Sequence, residues 1–418
     1  MAIQDKYPSI KPSLNLDFAN TKSLDPRIEF TRASSATYFD EFGVMRSASN
    51  NAPRIDHNPA TGECLGLLVE EQRTNLLTYS EQFDNAAWAK TSVNLSSAAN
   101  VAPNGIQAAT LVVPTTDFGS HKVSSPSISF GASLPVCGSV YFKAGGYSRL
   151  RLRLGQSSGF LTDVVADASA GTVVEGNTAN AAIIPIGNGW YRFSVFGKTG
   201  TSNTSVTYQL WVYDNSGSAG APEFSGDGTS GVYIWGAQLE AGSFPTSYIK
   251  TEATAATRAA DSAVMKGANF SSWYRQDEGT LFAEASVTGP NSADTTTTGI
   301  VTLGNSSTTD FMGITARTDN LSARFVVTPG SSLLTSGGAF PFNTFAKFAA
   351  AYKSLSFGFS HNGGILTNSA NTVSASYPTE LIIGAYYITT NRRLNGSIKR
   401  ITYYPKRLIN AKLQTLTQ

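Results

Sequence analysis

The residues of this sequence best suited to chemistry are those that hold sugars. From Val206, VTYQLWVYD alternates, so that Gln209, Trp211 and Tyr213 share one face of an extended strand. Flat rings beside an amide are the pairing that stacks on a pyranose face and hydrogen-bonds its hydroxyls. The competing reading packs the same rings under a neighbouring loop or a second sheet. A second group, Tyr386, Tyr387, Arg392 and Arg393, clusters around a loop expected at one end of a β-sandwich, where binding is commonly carried. These six residues, Trp211, Tyr213, Tyr386, Tyr387, Arg392 and Arg393, are the expected carbohydrate-binding set. Arg149, Arg151 and Arg153 of RLRLRL share another strand face, which either contacts acidic polysaccharide or is solvated and ion-paired.

Catalytic chemistry is harder to place. The three histidines, His57, His121 and His361, stand apart from any Asp/Cys cluster that would complete a ligand set or a nucleophile site. No G-x-S-x-G, H-E-x-x-H, P-loop or Rossmann pattern occurs. Glycoside hydrolysis needs only two carboxylates flanking a bond, but the adjacent pairs Asp40-Glu41, Glu70-Glu71 and Asp277-Glu278 point to opposite faces of a strand. Asp294, Asp310 and Asp319 fit no defined calcium loop. Cys64 and Cys137 are too few for a metal cluster or a disulfide framework and read as small buried apolar side chains. The expectation is a protein that is not an enzyme, with no catalytic residue, metal or cofactor. A polysaccharide depolymerase, its carboxylate pair assembled by the fold, is the competing reading.

The elements that must position these residues are strands. RLRLRL, WYRFSVFGK from Trp190 and VTYQLWVYD each alternate with period two, and Gly/Asn/Ser clusters such as NSGSAG and SGDGTSG punctuate them. A second series begins at GTLFAEASV near Gly279 and runs to NGSIKRITYYPKRL, with a hairpin turn expected around His361-Asn362-Gly363-Gly364. Helical periodicity is confined to a turn or two at 80–89 and at 408–416. The fold class expected is all-β: two antiparallel sandwiches of the jelly-roll kind preceded by an extended N-terminal arm and a small β unit. A hairpin is expected around Tyr38 to Gly43. The boundaries expected are 1–75, 76–250, a linker over 251–266, and 267–418.

Composition sets outer limits. Of 418 residues 14% are charged and 41% hydrophobic, so disorder and long helical rods are excluded. Lys and Arg total 31 against 29 Asp and Glu, a net charge of +2 that gives no electrostatic case for nucleic acid. The sequence has no apolar run of transmembrane length, and its N-terminus lacks the layout of a signal peptide, so no membrane insertion and synthesis in a cytosol are expected.

Three stretches together resemble a known family. SLNLDFANTKSLDPRIEFTRASSATYFDEFGV followed by NAPRIDHNPATGECLGLLVEEQRTNLLTYSEQFDNAAWAK resembles a module at the entrance to tail-fibre and other structural proteins of tailed bacteriophages. GWYRFSVFGKT with VYIWGAQLEAGSFPTSYIKTEATAATRAAD is similar to the closing half of the carbohydrate-binding-like jelly roll that follows it. LIIGAYY with LNGSIKRITYYPKRLINAKL is similar to the last strands of concanavalin A-like, laminin-G-type lectin domains in the same phage proteins. The resemblance implies a virion component, a tail fibre or receptor-binding protein that is a homotrimer and adheres to host surface polysaccharide without cleaving it. Other virion proteins would be met through the N-terminal region, with the arm from Met1 to Ser13 doing the docking. A purely structural adaptor or head fibre is the alternative. The resemblance carries over no binding residue, because the matched positions read as determinants of the fold.

Overall fold

The computed structural model describes residues 8–157, 159–215, 223–289, 297–305, 311–318, 322–327, 332–339, 341–364, 367–369, 378–386 and 392–418. Both sheets of the first sandwich are drawn from residues 89–241. One of its six-stranded antiparallel sheets runs in the order Thr172–Gly176, Gly159–Asp167, Arg149–Gln156, Ser205–Tyr213, Lys122–Ser129, Ala89–Thr91. It is called the arginine sheet below. The other runs Ala181–Gly187, Trp190–Lys198, Pro135–Gly145, Gly231–Ala241, Gln107–Pro114, Val93–Val101. Alternation explains the core between them. Leu150, Leu152, Leu154, Tyr208 and Leu210 point inward from the arginine sheet to meet Val140, Phe142, Phe193 and Val195.

The second sandwich is discontinuous in sequence. Its eight-stranded sheet runs Thr367–Ser369, Ser356–His361, Ala346–Lys353, Glu278–Ala285, Gly396–Tyr404, Cys64–Val69, Ile55–His57, and Leu14–Asp17 also pairs with Gly396–Tyr404. The facing seven-stranded sheet runs Glu29–Thr31, Ser262–Lys266, Glu380–Ile383, Thr297–Gly304, Phe311–Arg317, Ser322–Val327, Ser332–Ala339. Strands from 14–69 and from 262–404 therefore share one core, in which Leu14, Leu16, Leu67 and Val69 pack with Leu281, Ile401 and Ile383. The first sandwich is an insertion between the two halves of the second. Gly66 shows how tightly the halves meet: its φ is +90°, and a Cβ there would run into the Ile398 carbonyl.

The fold is all-β with two antiparallel sandwiches, as the alternation implied. The N-terminal region keeps an extended stretch before Leu14 and a small hairpin, Ala36–Phe39 with Met45–Ala48, turned by Asp40 to Gly43. Its other strands belong to the second sandwich. Residues 251–266, read above as a linker, hold Ala256–Arg258, paired with Arg73–Asn75, and Ser262–Lys266 within the seven-stranded sheet. Among the described residues α-helix is short: Phe18–Thr21, Ala268–Ser271 and Asn410–Thr417, none long and apolar enough to cross a membrane. No helix forms over 80–89, where Phe83 and Trp88 instead plug the first core from a chain of turns. The hairpin turn near His361 comes one residue later than its first expected position: His361 closes its strand, buried with its ring 5.1 Å from Phe348, and Asn362 and Gly363 take the positive φ. Cys137 is buried, whereas Cys64 is only half-buried and lines a surface cavity.

Candidate functional site

The outward face of the arginine sheet gathers the residues that the strand pattern singled out. Arg149 lies opposite Tyr213, Arg151 opposite Trp211 and Arg153 opposite Gln209, with Lys122 opposite Trp211 on the far side. The next strand supplies carboxylates. Arg149 pairs with Asp167 at 3.3 Å, Arg151 with Asp163 at 3.0 Å and Glu175 at 3.1 Å, and Arg153 with Asp163 at 2.6 Å. Burial alone would raise the Asp167 carboxyl, but hydrogen bonds from Ser169 and Ser148 and the pairing with Arg149 hold it down at about 2.

The rings on this face are covered. The Lys122 ammonium stands 4.2 Å and the Arg153 guanidinium 5.3 Å from the Trp211 ring centre, and Arg151 lies 4.8 Å from that of Tyr213. Trp211 is 9% exposed and Tyr213 is 0% exposed. The expected stacking platform is thus corrected for Tyr213, which no sugar ring can reach. Trp211 acts as the floor under three cations, Lys122, Arg153 and Arg151, its indole N–H donating to Gln209 Oε1 at 3.1 Å. What remains open is one end of the face: Lys122, which makes no ion pair among the described residues, with Arg153, Gln209 and the 54%-exposed ring of Phe160, over which Arg153 lies at 5.2 Å. Lys122 and Phe160 were missed from sequence because only the register between strands brings them there.

The second expected group divides. Arg392 lies over the half-buried Tyr386 ring at 5.0 Å, and that ring meets Phe311 edge-on at 4.8 Å. Arg393 is only 4% exposed, and the Asp261 charge is what opposes the cost of burying it. The expectation that it lines a binding loop is therefore corrected, because it alternates inward from Arg392. Tyr387, like Asp294, Asp310 and Asp319, lies outside the described residues.

A third constellation was quoted in the sequence only as motif. Arg32 of FTRAS, Arg54 of PRID, Glu70 of GLLVEE, and Arg258 and Asp261 of TRAAD form one buried network between the sandwiches. Asp261 takes Arg32 at 3.1 Å on one oxygen and Arg54 at 2.5 Å on the other, and it also accepts the Glu70 N–H at 2.8 Å. Glu70 accepts from Arg54 at 2.7 Å, Arg258 at 2.9 Å and the Ser247 hydroxyl at 2.6 Å. Burial pushes its carboxyl up, and the two guanidiniums with Ser247 outweigh that, leaving it at about 2. Around this centre Arg73 pairs with Glu71 at 2.6 Å, Asn75 donates to the Ala237 and Ile249 carbonyls, and Glu240 accepts from Gln238 and Thr246. Both carboxylates at its centre are fully engaged, while Arg54 Nε and Arg258 Nε stay buried without an acceptor, and the network welds the insertion to both halves of its host.

Asp56 borders this network on a cavity of about 150 Å³ shared with Tyr141, Arg192 and Tyr248. Although part of its side chain meets solvent, burial pushes its carboxyl up to about 6, against the Phe39 N–H and Arg54, which favour the charge. A carboxyl raised in the fold adds stability that is full below its unfolded value of about 4 and is lost as pH climbs through about 6. Glu70 acts oppositely: its contribution is present above about 4.5 and fades as pH falls towards about 2. Asp56→Asn should therefore raise the melting temperature at pH 7.5 and flatten its decline between pH 4 and 7. Melting curves that run parallel to wild type across that range would contradict the assignment.

No protein-family model matches the chain, and no curated protein matches it. Among solved structures, it is similar to NanB sialidase from Streptococcus pneumoniae at 14% identity and TM-score 0.30, over 36% of this chain and 26% of that one. A Trypanosoma rangeli sialidase mutant displaying trans-sialidase activity matches at 14% identity and TM-score 0.29, over 38% and 26%. The botulinum neurotoxin serotype D binding domain matches at 8% and 0.28, over 37% and 39%. The chain thus spans well under half the length of these proteins. The expectation that this chain is not an enzyme does not stand: proteins described as sialidases are among the solved structures it matches, at TM-scores of 0.30 and 0.29 that carry no activity to this chain, and a missing sequence motif does not exclude catalysis.

Proposed function

We propose that this chain is a bacteriophage virion protein, a tail fibre or receptor-binding protein, that adheres to glycan on the host surface. The observation that carries the reading is the convergence of the motif residues. Arg32 and Asp261 stand 229 positions apart, yet with Arg54, Glu70 and Arg258 they share one buried network. The stretches that resemble phage fibre modules are thereby a single co-folded unit. Glycan contact is assigned to the open end of the arginine sheet, where Lys122 and Arg153 donate, Gln209 both donates and accepts, and Phe160 offers an exposed ring. Tyr386 with Arg392 supplies a second contact. In this reading the chain assembles as a homotrimer, meets other virion proteins through its N-terminal region, and is made in the host cytoplasm.

The test is binding of the full chain to intact host cells and to their extracted surface polysaccharide. Saturable binding is expected, and the double variant Lys122→Ala, Arg153→Ala should weaken it by about tenfold or more, since each cation forms charge-assisted hydrogen bonds. A stable oligomer that binds neither cells nor polysaccharide would overturn the reading in favour of a purely structural virion role.

A further inference from the structure

The outward face of the eight-stranded sheet holds a charged row that no motif announced. Asp17, Arg400, Glu284 and Lys347 lie directly opposite one another on four adjacent strands. Opposite charges so placed ordinarily pair, and the outer members of this row do find partners. Asp17 accepts from the Asn20 amide at 2.8 Å, and Lys347 donates to the Gln418 backbone carbonyl at 2.6 Å. The neighbouring Lys399 is held by Glu63 at 2.6 Å.

The two central residues do not pair. Glu284 makes no hydrogen bond or ion pair among the described residues. The Arg400 guanidinium stands 4.9 Å from the Phe282 ring centre, and its Nε is shut away from solvent with no acceptor. Both line a cavity of about 380 Å³, and Arg400 also lines an adjoining one of about 300 Å³ that reaches Asn15 and Thr402. A five-donor fork and an acceptor-only carboxylate therefore stand side by side, half-exposed and without a protein partner among the described residues, where two cavities meet.

The chemistry of an occupant follows. It must offer acceptors to Arg400 and donors to Glu284 within one strand spacing, which adjacent hydroxyl groups do. An anion is disfavoured, because Asp17, Glu63 and Glu284 surround the guanidinium; a cation meets Arg400 and Lys399. We propose that this groove is a binding site for a neutral oligosaccharide, with Arg400 and Glu284 gripping neighbouring hydroxyls and one sugar residue in each cavity. The proposal rests on the glycan-binding reading above and gives it a substrate class and a second surface.

Saturation-transfer NMR of the full chain with maltose, lactose and cellobiose, beside sialyllactose as the acidic counterpart, tests it. At least one neutral disaccharide should bind saturably at millimolar concentration, in preference to sialyllactose. Glu284→Gln and Arg400→Met should each weaken that binding at least about tenfold. Arg400→Met keeps an apolar stem over Phe282, and unchanged melting of both variants certifies the fold. Lys266→Ala, on the facing sheet and outside both sites, should leave disaccharide binding intact. No saturable binding of any neutral disaccharide, a preference for sialyllactose, or indifference to both groove substitutions would each overturn the proposal. Host-cell binding by the wild-type chain without saturable binding of any neutral disaccharide would sink the groove and spare the adhesion reading. Disaccharide binding without any host-cell adhesion would do the reverse.

Discussion

Asp261→Ala should cost the second sandwich about 3–5 kcal/mol, the range for stripping one partner from a buried ion pair. Both Asp261 oxygens are in use, and its side chain, like those of Arg32 and Arg54, is 0% exposed. Removing it leaves two guanidiniums facing each other without the charge that separates them, and it strips the Glu70 N–H of its acceptor. Asp261→Asn should recover little, because an amide keeps the shape but not the charge. Urea unfolding of the full chain is the measurement. With two sandwiches of separate core, two transitions are expected, and the loss should fall on the one that reports the second. A change below about 1 kcal/mol would mean that water or rearrangement supplies the missing charge balance, and the network would then not be the weld described above.

The second large effect concerns where the chain can be cut. A chain beginning at Asp261 contains most of the second sandwich by sequence, yet it should not fold. It lacks Leu14–Asp17 and Cys64–Val69, the two strands that cover one edge of Gly396–Tyr404, and Glu29–Thr31 at the edge of the other sheet. With them go Leu14, Leu16, Phe18, Leu67 and Val69 from the core. At about 1.5–3 kcal/mol for each large apolar side chain, the loss matches or exceeds the whole stability of about 5–15 kcal/mol of an ordinary domain. Residues 76–250, by contrast, should fold alone, because both six-stranded sheets close within them. Near-UV circular dichroism and amide dispersion in NMR read both outcomes. A dispersed, cooperative spectrum from the chain starting at Asp261 would show that its own strands suffice.

What could be read from the sequence was local. RLRLRL, WYRFSVFGK and VTYQLWVYD became Arg149–Gln156, Trp190–Lys198 and Ser205–Tyr213, since period-two alternation needs no knowledge of the partner strand. Ser262–Lys266 escaped because its inward residues, Ala263 and Met265, are a small and an unbranched side chain in an Ala/Thr-rich run. The state of the candidate site was beyond local pattern for a different reason. Trp211 and Tyr213 sit on the outward face as the alternation requires, but whether a ring is bare depends on what the next strand folds across it, here Arg151, Arg153 and Lys122. Arg400 and Glu284 are ordinary charges in the sequence, and their lack of partners exists only in the register of three strands.

The pairing of Leu14–Asp17 with Gly396–Tyr404 has a consequence for synthesis. Asn15 and Thr402, bonded to each other at 3.0 Å, are 387 residues apart. At roughly 5–20 residues per second, a ribosome needs roughly 20–80 s to make the second after the first. Through that interval the inserted sandwich can close on itself while the opening strands, Leu14, Leu16 and Phe18 among them, trail with their apolar faces uncovered. These strands are made long before the strand they pair with, so the yield of this protein in a cell should be governed by whatever shelters residues 14–69 until Gly396–Tyr404 has been made.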